Sequence, residues 1–168
     1  MKPMRKMSLA IILKFMNTKN KLKKRVVNKR FAKGKGEYEE IISSIEKKGK
    51  CPFCPENFKY HKEPILKTLA GWFITKNSWP YKNTENHFII ISKKHKENFG
   101  ELNNNDLKSV KILVNWTIKK FKIKGGALAL RFGDTNYTGA TVCHLHFHLI
   151  SPKTNSKNKS DTVFFPIG

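Results

Sequence analysis

The chain has 168 residues, which fits one domain with additional segments, and its 34 Lys and Arg against 12 Asp and Glu give a net charge of +22. Hydrophobic residues make up 39%, enough for one core, so the high charge does not indicate a wholly disordered chain. Because no apolar run approaches the ~18 residues that a membrane-spanning helix needs, the sequence predicts no transmembrane segment. A channel, a transporter, a collagen-like fibre and a disulfide scaffold are excluded.

The positive charge is concentrated in the first 36 residues, which contain 13 basic residues and no acidic one. The remaining 21 basic and 12 acidic residues give a net +9. The apolar run 7–13 resembles the core of a signal peptide, but Lys14 follows at once and no small-residue cleavage site comes after it. We predict a basic N-terminal arm over 1–36 that is either disordered and solvated or an electrostatic patch for nucleic acid or an anionic surface.

Helices and strands are expected from residue 37 onward. Residues 37–48 predict a short amphipathic helix, with acidic residues at its start and lysines at its end. Apolar runs predict strands over 69–75 and 88–91. Helical spacing of apolar residues predicts a long helix over 105–122, which a pair of glycines ends.

Two further strands are predicted near the end of the chain, over 127–132 and 143–150. A polar linker over 152–160 leads into an apolar tail that we expect to dock on the domain. The predicted division is therefore a basic arm (1–36), a catalytic domain (37–151), and a linker with a C-terminal tail (152–168).

Three histidines alternate with apolar residues in the last of these strands. Successive side chains of a strand point to opposite faces, so His144, His146 and His148 share one polar face and the apolar residues between them face the core. The loop before them contains Gly139 and small or hydroxylic neighbours, which allows backbone N–H groups to approach a phosphate. This pattern indicates a functional site.

Cys51 and Cys54 form a second motif, a CxxC pair that can hold one side of a tetrahedral zinc ion. Such a pair can also be a redox couple or two small core residues. The chain has no second CxxC pair, so the other zinc ligands must be histidines, and the candidates are His61, His87, His95 and one of the three alternating histidines.

Residues 51–150 resemble the histidine triad (HIT) superfamily of nucleotide hydrolases and transferases. The resemblance is carried by four elements in order: the CxxC pair, the asparagine and proline-tyrosine segment 77–81, the strand and turn 86–95, and the triad 144–150. The CxxC pair is similar to the zinc-bearing branch of the superfamily. The implied fold is α+β and HIT-like: an antiparallel sheet of about five strands with one long and one short helix.

The resemblance also implies roles for individual residues. His146 is expected to be the nucleophile that attacks the α-phosphorus of a nucleotide, and His148 to contact the phosphate and help the leaving group depart. His144 completes the catalytic triad. Substrate-binding roles are implied for Asn77 at the ribose, His87 behind the phosphate, Gly139 at the phosphate and Thr141 near the leaving group. The implied structural zinc site consists of Cys51, Cys54, His95 and His144.

Two positions bear on how closely the chain follows the superfamily. Ala140 stands where the superfamily has a glutamine, so Arg131 or a lysine would have to supply the missing phosphate contact. The third triad residue is histidine, whereas the uridylyltransferase branch has glutamine there, which argues against sugar-nucleotide transfer.

These observations predict a nucleotide hydrolase or nucleotidyltransferase that forms a covalent nucleotidyl-histidine. The expected substrates are dinucleoside polyphosphates, nucleoside phosphoramidates or other adenylyl compounds. One alternative is an adenylyl hydrolase acting on nucleic-acid ends that the basic arm holds, and another is a zinc-stabilised nucleotide-binding module without turnover. We also expect a homodimer, as in the superfamily, and a reducing, cytoplasmic location because cysteines are few.

Overall fold

The computed structural model describes residues 25–32 and 36–168. The signal-peptide-like run 7–13 and the rest of the basic arm at 1–24 and 33–35 lie outside the described residues.

A five-stranded sheet forms the centre of the fold. Its strands are β1 (Ile65–Leu69), β2 (Trp72–Lys76), β3 (Thr84–Ser92), β4 (Ala127–Leu130) and β5 (His146–Pro152). Their order across the sheet is β1-β2-β3-β5-β4, and every neighbouring pair is antiparallel. The predicted α+β class with an antiparallel sheet of about five strands is confirmed.

Within residues 25–32 and 36–168, three α-helices accompany the sheet: α1 (Glu37–Lys48), α2 (Asn104–Lys120) and the short α3 (Thr135–Thr138). Short 3-10 helices lie at Lys29–Phe31, Pro55–Tyr60 and Phe99–Glu101. The predicted helix 37–48 coincides with α1, and the predicted helix 105–122 corresponds to α2. A reciprocal cap begins α2, in which the Asn103 side chain accepts from the Asp106 N–H and the Asp106 carboxylate accepts from the Asn103 N–H.

The two faces of the sheet are covered differently. On one face, Val110 and Leu113 of α2 pack against the main core cluster, which contains Trp72, Ile74, Phe88, Ile90, Phe147 and Leu149. On the other face, β5 presents its histidines beside Ile89 and Ile91 of β3. The period-two alternation of β5 therefore separates the core from the functional face.

The predicted strand 69–75 is wrong in its extent, because a turn divides it. Ala70 and Gly71 both have positive φ, 40° and 84°, which is the backbone of a tight two-residue hairpin. The chain reverses there, so the segment supplies the end of β1 and most of β2. The predicted strand 143–150 is shifted as well, because β5 begins at His146 and continues to Pro152.

The described part of the predicted arm packs on the domain. Val27 is fully buried and forms a β-bridge with Val142, and the buried Asn28 side chain donates to the Thr135 hydroxyl at 2.9 Å. Val27 also joins Ile42 and Ile45 of α1 in a second core cluster. Residues 25–32 thus belong to the folded domain, which the proposed boundary at residue 36 did not anticipate.

The C-terminal segment folds back onto the face of the sheet that carries the histidines. The Asn83 side chain donates to the Thr162 carbonyl at 2.9 Å, and the Phe165 ring packs 5.9 Å from the ring of Tyr81.

Among the residues that the structure describes, no helix has the length and hydrophobicity needed to span a bilayer.

Candidate active site and metal cluster

The three histidines lie in one row at the start of β5. His146 and His148 are both buried, with ring centroids 4.7 Å apart, and the buried His144 comes two residues before the strand begins. Backbone pairing with β3 fixes the row, because Ile91 lies opposite His146 and Ile89 opposite His148.

One backbone hydrogen bond determines which nitrogen of His146 is free. Nδ1 of His146 lies 2.7 Å from the carbonyl oxygen of His144. A carbonyl only accepts, so Nδ1 carries the hydrogen and donates, and the lone pair stays on Nε2. The Phe53 ring meets the imidazole edge-on, with centroids 4.9 Å apart and planes at 79°, and so holds its orientation.

Burial keeps the imidazole of His146 neutral. It lowers the pKa of His146 to about 3, and the nearby charge of Arg131 acts in the same direction. A neutral imidazole with a free lone pair is the nucleophilic form of histidine.

His148 has polar partners on both ring nitrogens. Nδ1 lies 2.9 Å from Nε2 of His87, and Nε2 lies 3.2 Å from Nη2 of Arg131. Burial is the main cause that holds the pKa of His148 well below its usual value, and burial also lowers that of His87 to about 4.

The predicted metal ligands Cys51, Cys54, His95 and His144 form one cluster, in which the four candidate ligand atoms lie within 4.8 Å of one another. Nδ1 of His144 is 3.3 Å from Sγ of Cys51 and 3.8 Å from Sγ of Cys54, and Nδ1 of His95 is 3.5 Å from Sγ of Cys54. A tetrahedral zinc ion with bonds of ~2.0–2.3 Å would place its ligand atoms roughly 3.3–3.8 Å apart.

The surroundings of the cluster also fit a metal. Nε2 of His144 donates to the Ser92 carbonyl at 2.7 Å, and Nε2 of His95 lies 2.7 Å from the Glu97 carboxylate. Both bonds leave Nδ1 of the histidine free to bind a metal. Carbonyl and carboxylate acceptors commonly orient metal-bound histidines in this way. Burial raises the pKa of the Cys51 thiol to about 12, so its thiolate is favourable only beside a cation. The donor set and its orientation therefore fit zinc.

A cavity of about 780 Å³ opens beside the row of histidines. His146 and His148 form part of its wall, and α1 contributes Tyr38, Ile41, Ile42 and Ile45. Much of the remaining wall is aromatic, including Trp79 and Tyr81. A site with an apolar wall and a few polar groups at one end is suited to a small organic molecule with an anionic part.

The sequence matches the model of one protein family, described as "Scavenger mRNA decapping enzyme C-term binding", over residues 50–163. The match covers more than half of the chain and includes every predicted site residue. The chain belongs to this family. It is a member of the HIT superfamily, as the motifs indicated.

Solved structures show the same HIT fold. A histidine triad nucleotide-binding protein from Candida albicans is 22% identical, with a TM-score of 0.53 over 70% of this chain and 83% of that one. A HIT family hydrolase from Legionella pneumophila Philadelphia 1 is 20% identical, with a TM-score of 0.50 over 62% of this chain and 95% of that one. A hypothetical protein from Leishmania major is 22% identical, with a TM-score of 0.50 over 69% and 84%. No curated protein matches the sequence significantly.

The other predicted site residues of this HIT protein lie around the same cavity. The Asn77 side-chain oxygen accepts from the Trp79 N–H at 3.1 Å, and its amide nitrogen lies 3.2 Å from Nε2 of His87. Gly139 adopts φ 64° after α3, and the Thr141 hydroxyl donates to the Phe31 carbonyl at 2.9 Å. Asn77, Gly139 and Thr141 line the cavity directly, whereas His87 stands behind His148.

The sequence did not reveal several contacts of the site. The sequence suggests Arg131 only as a substitute for the missing glutamine, yet its guanidinium donates to Tyr81 and to the C-terminal segment and lies 3.2 Å from Nε2 of His148. His61, one of the candidate zinc ligands, lies outside the metal cluster on the cavity wall, where its Nε2 atom is 3.0 Å from the Thr75 hydroxyl. Phe53, inside the CxxC motif, links the metal cluster to His146 through ring contacts with both His144 and His146.

Proposed function

We propose that the chain is a nucleotide hydrolase or nucleotidyltransferase of the HIT type, with His146 as its nucleophile. The observation that carries this proposal is the bond from Nδ1 of His146 to the His144 carbonyl, which leaves a neutral Nε2 lone pair at the cavity wall. Family membership supports the same class of reaction.

The reaction would proceed in two displacements. Nε2 of His146 attacks the α-phosphorus, the bond to the leaving group breaks, and the leaving group keeps the electron pair. Water or another acceptor then attacks the same phosphorus and the P–N bond breaks, which returns the electron pair to Nε2 and releases the nucleotide. Dividing one displacement into two lowers the barrier of each step.

The positions of the polar groups support the binding roles that the resemblance implies. His148 and the backbone near Gly139 would contact the phosphate, His87 would support His148, and Asn77 would contact the ribose at the mouth of the cavity. Thr141 would lie near the leaving group. The cluster of Cys51, Cys54, His95 and His144 would hold a structural zinc ion that fixes the start of β5.

The substitution His146→Ala tests the nucleophile. We expect wild-type protein to release AMP from a diadenosine polyphosphate or an adenosine phosphoramidate, and the variant to lose at least about 10³-fold in kcat. Metal content and thermal unfolding should stay close to the wild-type values, which separates lost chemistry from lost folding. Undiminished AMP release by a folded variant would contradict the assignment.

The basic arm supports a second candidate, an adenylyl hydrolase acting on nucleic-acid ends. The 13 basic residues within 1–36 would neutralise backbone phosphates. DNA binding that weakens steeply with salt, and disappears when residues 1–24 are deleted, would favour this candidate. A folded protein that binds nucleotides but never turns them over would instead favour the binding module.

Homodimer formation and a cytoplasmic location also remain predictions. β4 is an edge of the described sheet and carries the half-exposed Leu128, and beyond it Phe132 and Phe99 lie 5.6 Å apart with about half of each side chain exposed. An apolar sheet edge of this kind is suited to pairing with a second copy. Sedimentation equilibrium should show a dimer that Leu128→Lys converts to a monomer.

A further inference from the structure

Arg131 lies beside the last histidine of the row, with its Nη2 atom 3.2 Å from Nε2 of His148. Its Nη2 atom donates to the Tyr81 hydroxyl at 2.8 Å, and its Nη1 atom donates to the Pro166 carbonyl at 3.2 Å. The Phe165 ring lies over the guanidinium at 4.7 Å. Arg131 lines the cavity together with His146 and His148, so it lies at the phosphate end of the site.

The hydrogen-bond chain behind His148 determines where that residue carries its hydrogen. The backbone N–H of Tyr81 donates to Nδ1 of His87 at 3.2 Å, so a neutral His87 has its hydrogen on Nε2. Nε2 of His87 then donates to Nδ1 of His148 over 2.9 Å. A neutral His148 that accepts at Nδ1 carries its own hydrogen on Nε2.

Two donors therefore face each other at the cavity wall. Nη2 of Arg131 lies 3.2 Å from Nε2 of His148, and a guanidinium has donors and no acceptor. An anionic oxygen placed against both groups would accept from each of them. In addition, Nε of Arg131 is buried and has no hydrogen-bond partner among the described residues. Arginine commonly binds phosphate through a pair of its nitrogens, so this unpaired donor is a further sign of an anion site.

We propose that Arg131 and His148 together bind the phosphate group on the leaving side of the substrate, and that Arg131 thereby makes the site selective for phosphoric anhydrides over phosphoramidates. This inference rests on the proposed function. Ala140 has no side-chain amide that could contact a phosphate, and the inference assigns this contact to Arg131. It also narrows the substrate class to compounds whose leaving group is itself a phosphate or polyphosphate.

The two leaving groups differ in whether they must take up a proton in order to depart. In an anhydride the P–O bond breaks, the bridging oxygen keeps the electron pair, and the departing phosphate gains negative charge that a guanidinium stabilises without transferring a proton. In a phosphoramidate the P–N bond breaks, and the departing nitrogen must take up a proton to leave as an amine. Arginine stays protonated in proteins, so Arg131 cannot supply that proton.

The experiment compares two substrates that share an adenylyl group, diadenosine tetraphosphate and an adenosine 5′-phosphoramidate. Wild type, Arg131→Gln and Arg131→Lys are measured with both. We expect Arg131→Gln to lower kcat/KM about 100-fold for the anhydride and less than about fivefold for the phosphoramidate. Arg131→Lys keeps the positive charge and should recover part of the loss for the anhydride.

The ratio of the two kcat/KM values decides the result, because misfolding lowers both by the same factor. Equal losses on the two substrates in Arg131→Gln and in Arg131→Lys would overturn the role of Arg131 and leave the proposed function standing. A folded wild-type protein that cleaves neither substrate would overturn the proposed function, and this inference with it.

Discussion

The first two histidines of the row, at the metal cluster and at the cavity, differ in which ring nitrogen is left free. At the cluster end, Nε2 of His144 donates to the Ser92 carbonyl, so Nδ1 faces the cysteine sulfurs. Two residues later, Nδ1 of His146 donates to the His144 carbonyl, so Nε2 is free at the cavity wall. The same side chain on the same face thus becomes a candidate metal ligand or a candidate nucleophile according to one carbonyl partner.

The charge around the two ends differs as well. The cluster end has two thiols and the Glu97 carboxylate, which bonds to His95, and these groups favour a cation. The cavity end has the guanidinium of Arg131 beside His148, which favours an anion. This separation of cation-binding and anion-binding groups would allow the proposed structural metal and the proposed phosphate site to lie close together.

Removing a thiol tests the cluster end and has the largest expected effect on stability. Cys51→Ser should abolish stoichiometric zinc binding and lower the free energy of unfolding by several kcal/mol, because zinc binding stabilises only the folded state. Cys143→Ser is the matched control, since this free, half-buried cysteine lies outside the cluster. Metal analysis and urea unfolding give both readouts. Full zinc stoichiometry in Cys51→Ser would contradict the assigned ligands.

The pH dependence of stability tests the cavity end. Burial lowers the pKa of His87 to about 4 in the folded protein, from about 6.5 in the unfolded chain. The unfolded state therefore binds the extra proton between these values, and stability should fall by about 1 kcal/mol per pH unit as the pH drops from 6.5 towards 4.

The substitution His87→Asn should remove this contribution and flatten the pH dependence of the unfolding free energy. Urea unfolding of both proteins at several pH values, with zinc present throughout, makes the comparison. Identical slopes for wild type and variant would show that His87 is not buried and neutral behind His148.

The smallest effect is expected at Glu97, which orients a ligand without binding the metal. Glu97→Gln replaces the charged acceptor for Nε2 of His95 by a neutral amide and should weaken zinc binding by about 10- to 100-fold. Competition with a chelator measures this change. Zinc affinity equal to that of wild type would show that the carboxylate does not support the cluster.

The row of histidines and the Cys/His cluster could be predicted because each of their parts lies in a short sequence motif. Alternation placed His146 and His148 on one face of β5, with His144 two residues before it, and the CxxC pair together with His95 matched known motifs. The extent of β1 and β2 could not be predicted in the same way, because Leu69 to Thr75 is almost continuously apolar and its hydrophobicity does not mark the turn. The positive φ of Ala70, a residue that rarely adopts it, is what divides the segment.

The contacts of Arg131 could not be predicted, because its partners come from distant parts of the chain. Tyr81 is 50 residues away and Pro166 is 35 residues away. The packing of Val27 against Val142 was missed for the same reason, although two adjacent valines in a basic stretch were a signal for it. Long-range pairing of polar groups has no periodicity that a sequence displays.

Trapping the covalent intermediate tests the role of His146 most directly. Wild-type protein is mixed with an adenylyl substrate, denatured within milliseconds to seconds, and analysed by intact-protein and peptide mass spectrometry at neutral to basic pH, where phosphohistidine survives. We predict a gain of one adenylyl group on the peptide that contains His146, and no gain in His146→Asn. An adenylyl group on another residue, or turnover by wild type without any adduct in a time course that resolves a single turnover, would contradict a nucleophilic His146.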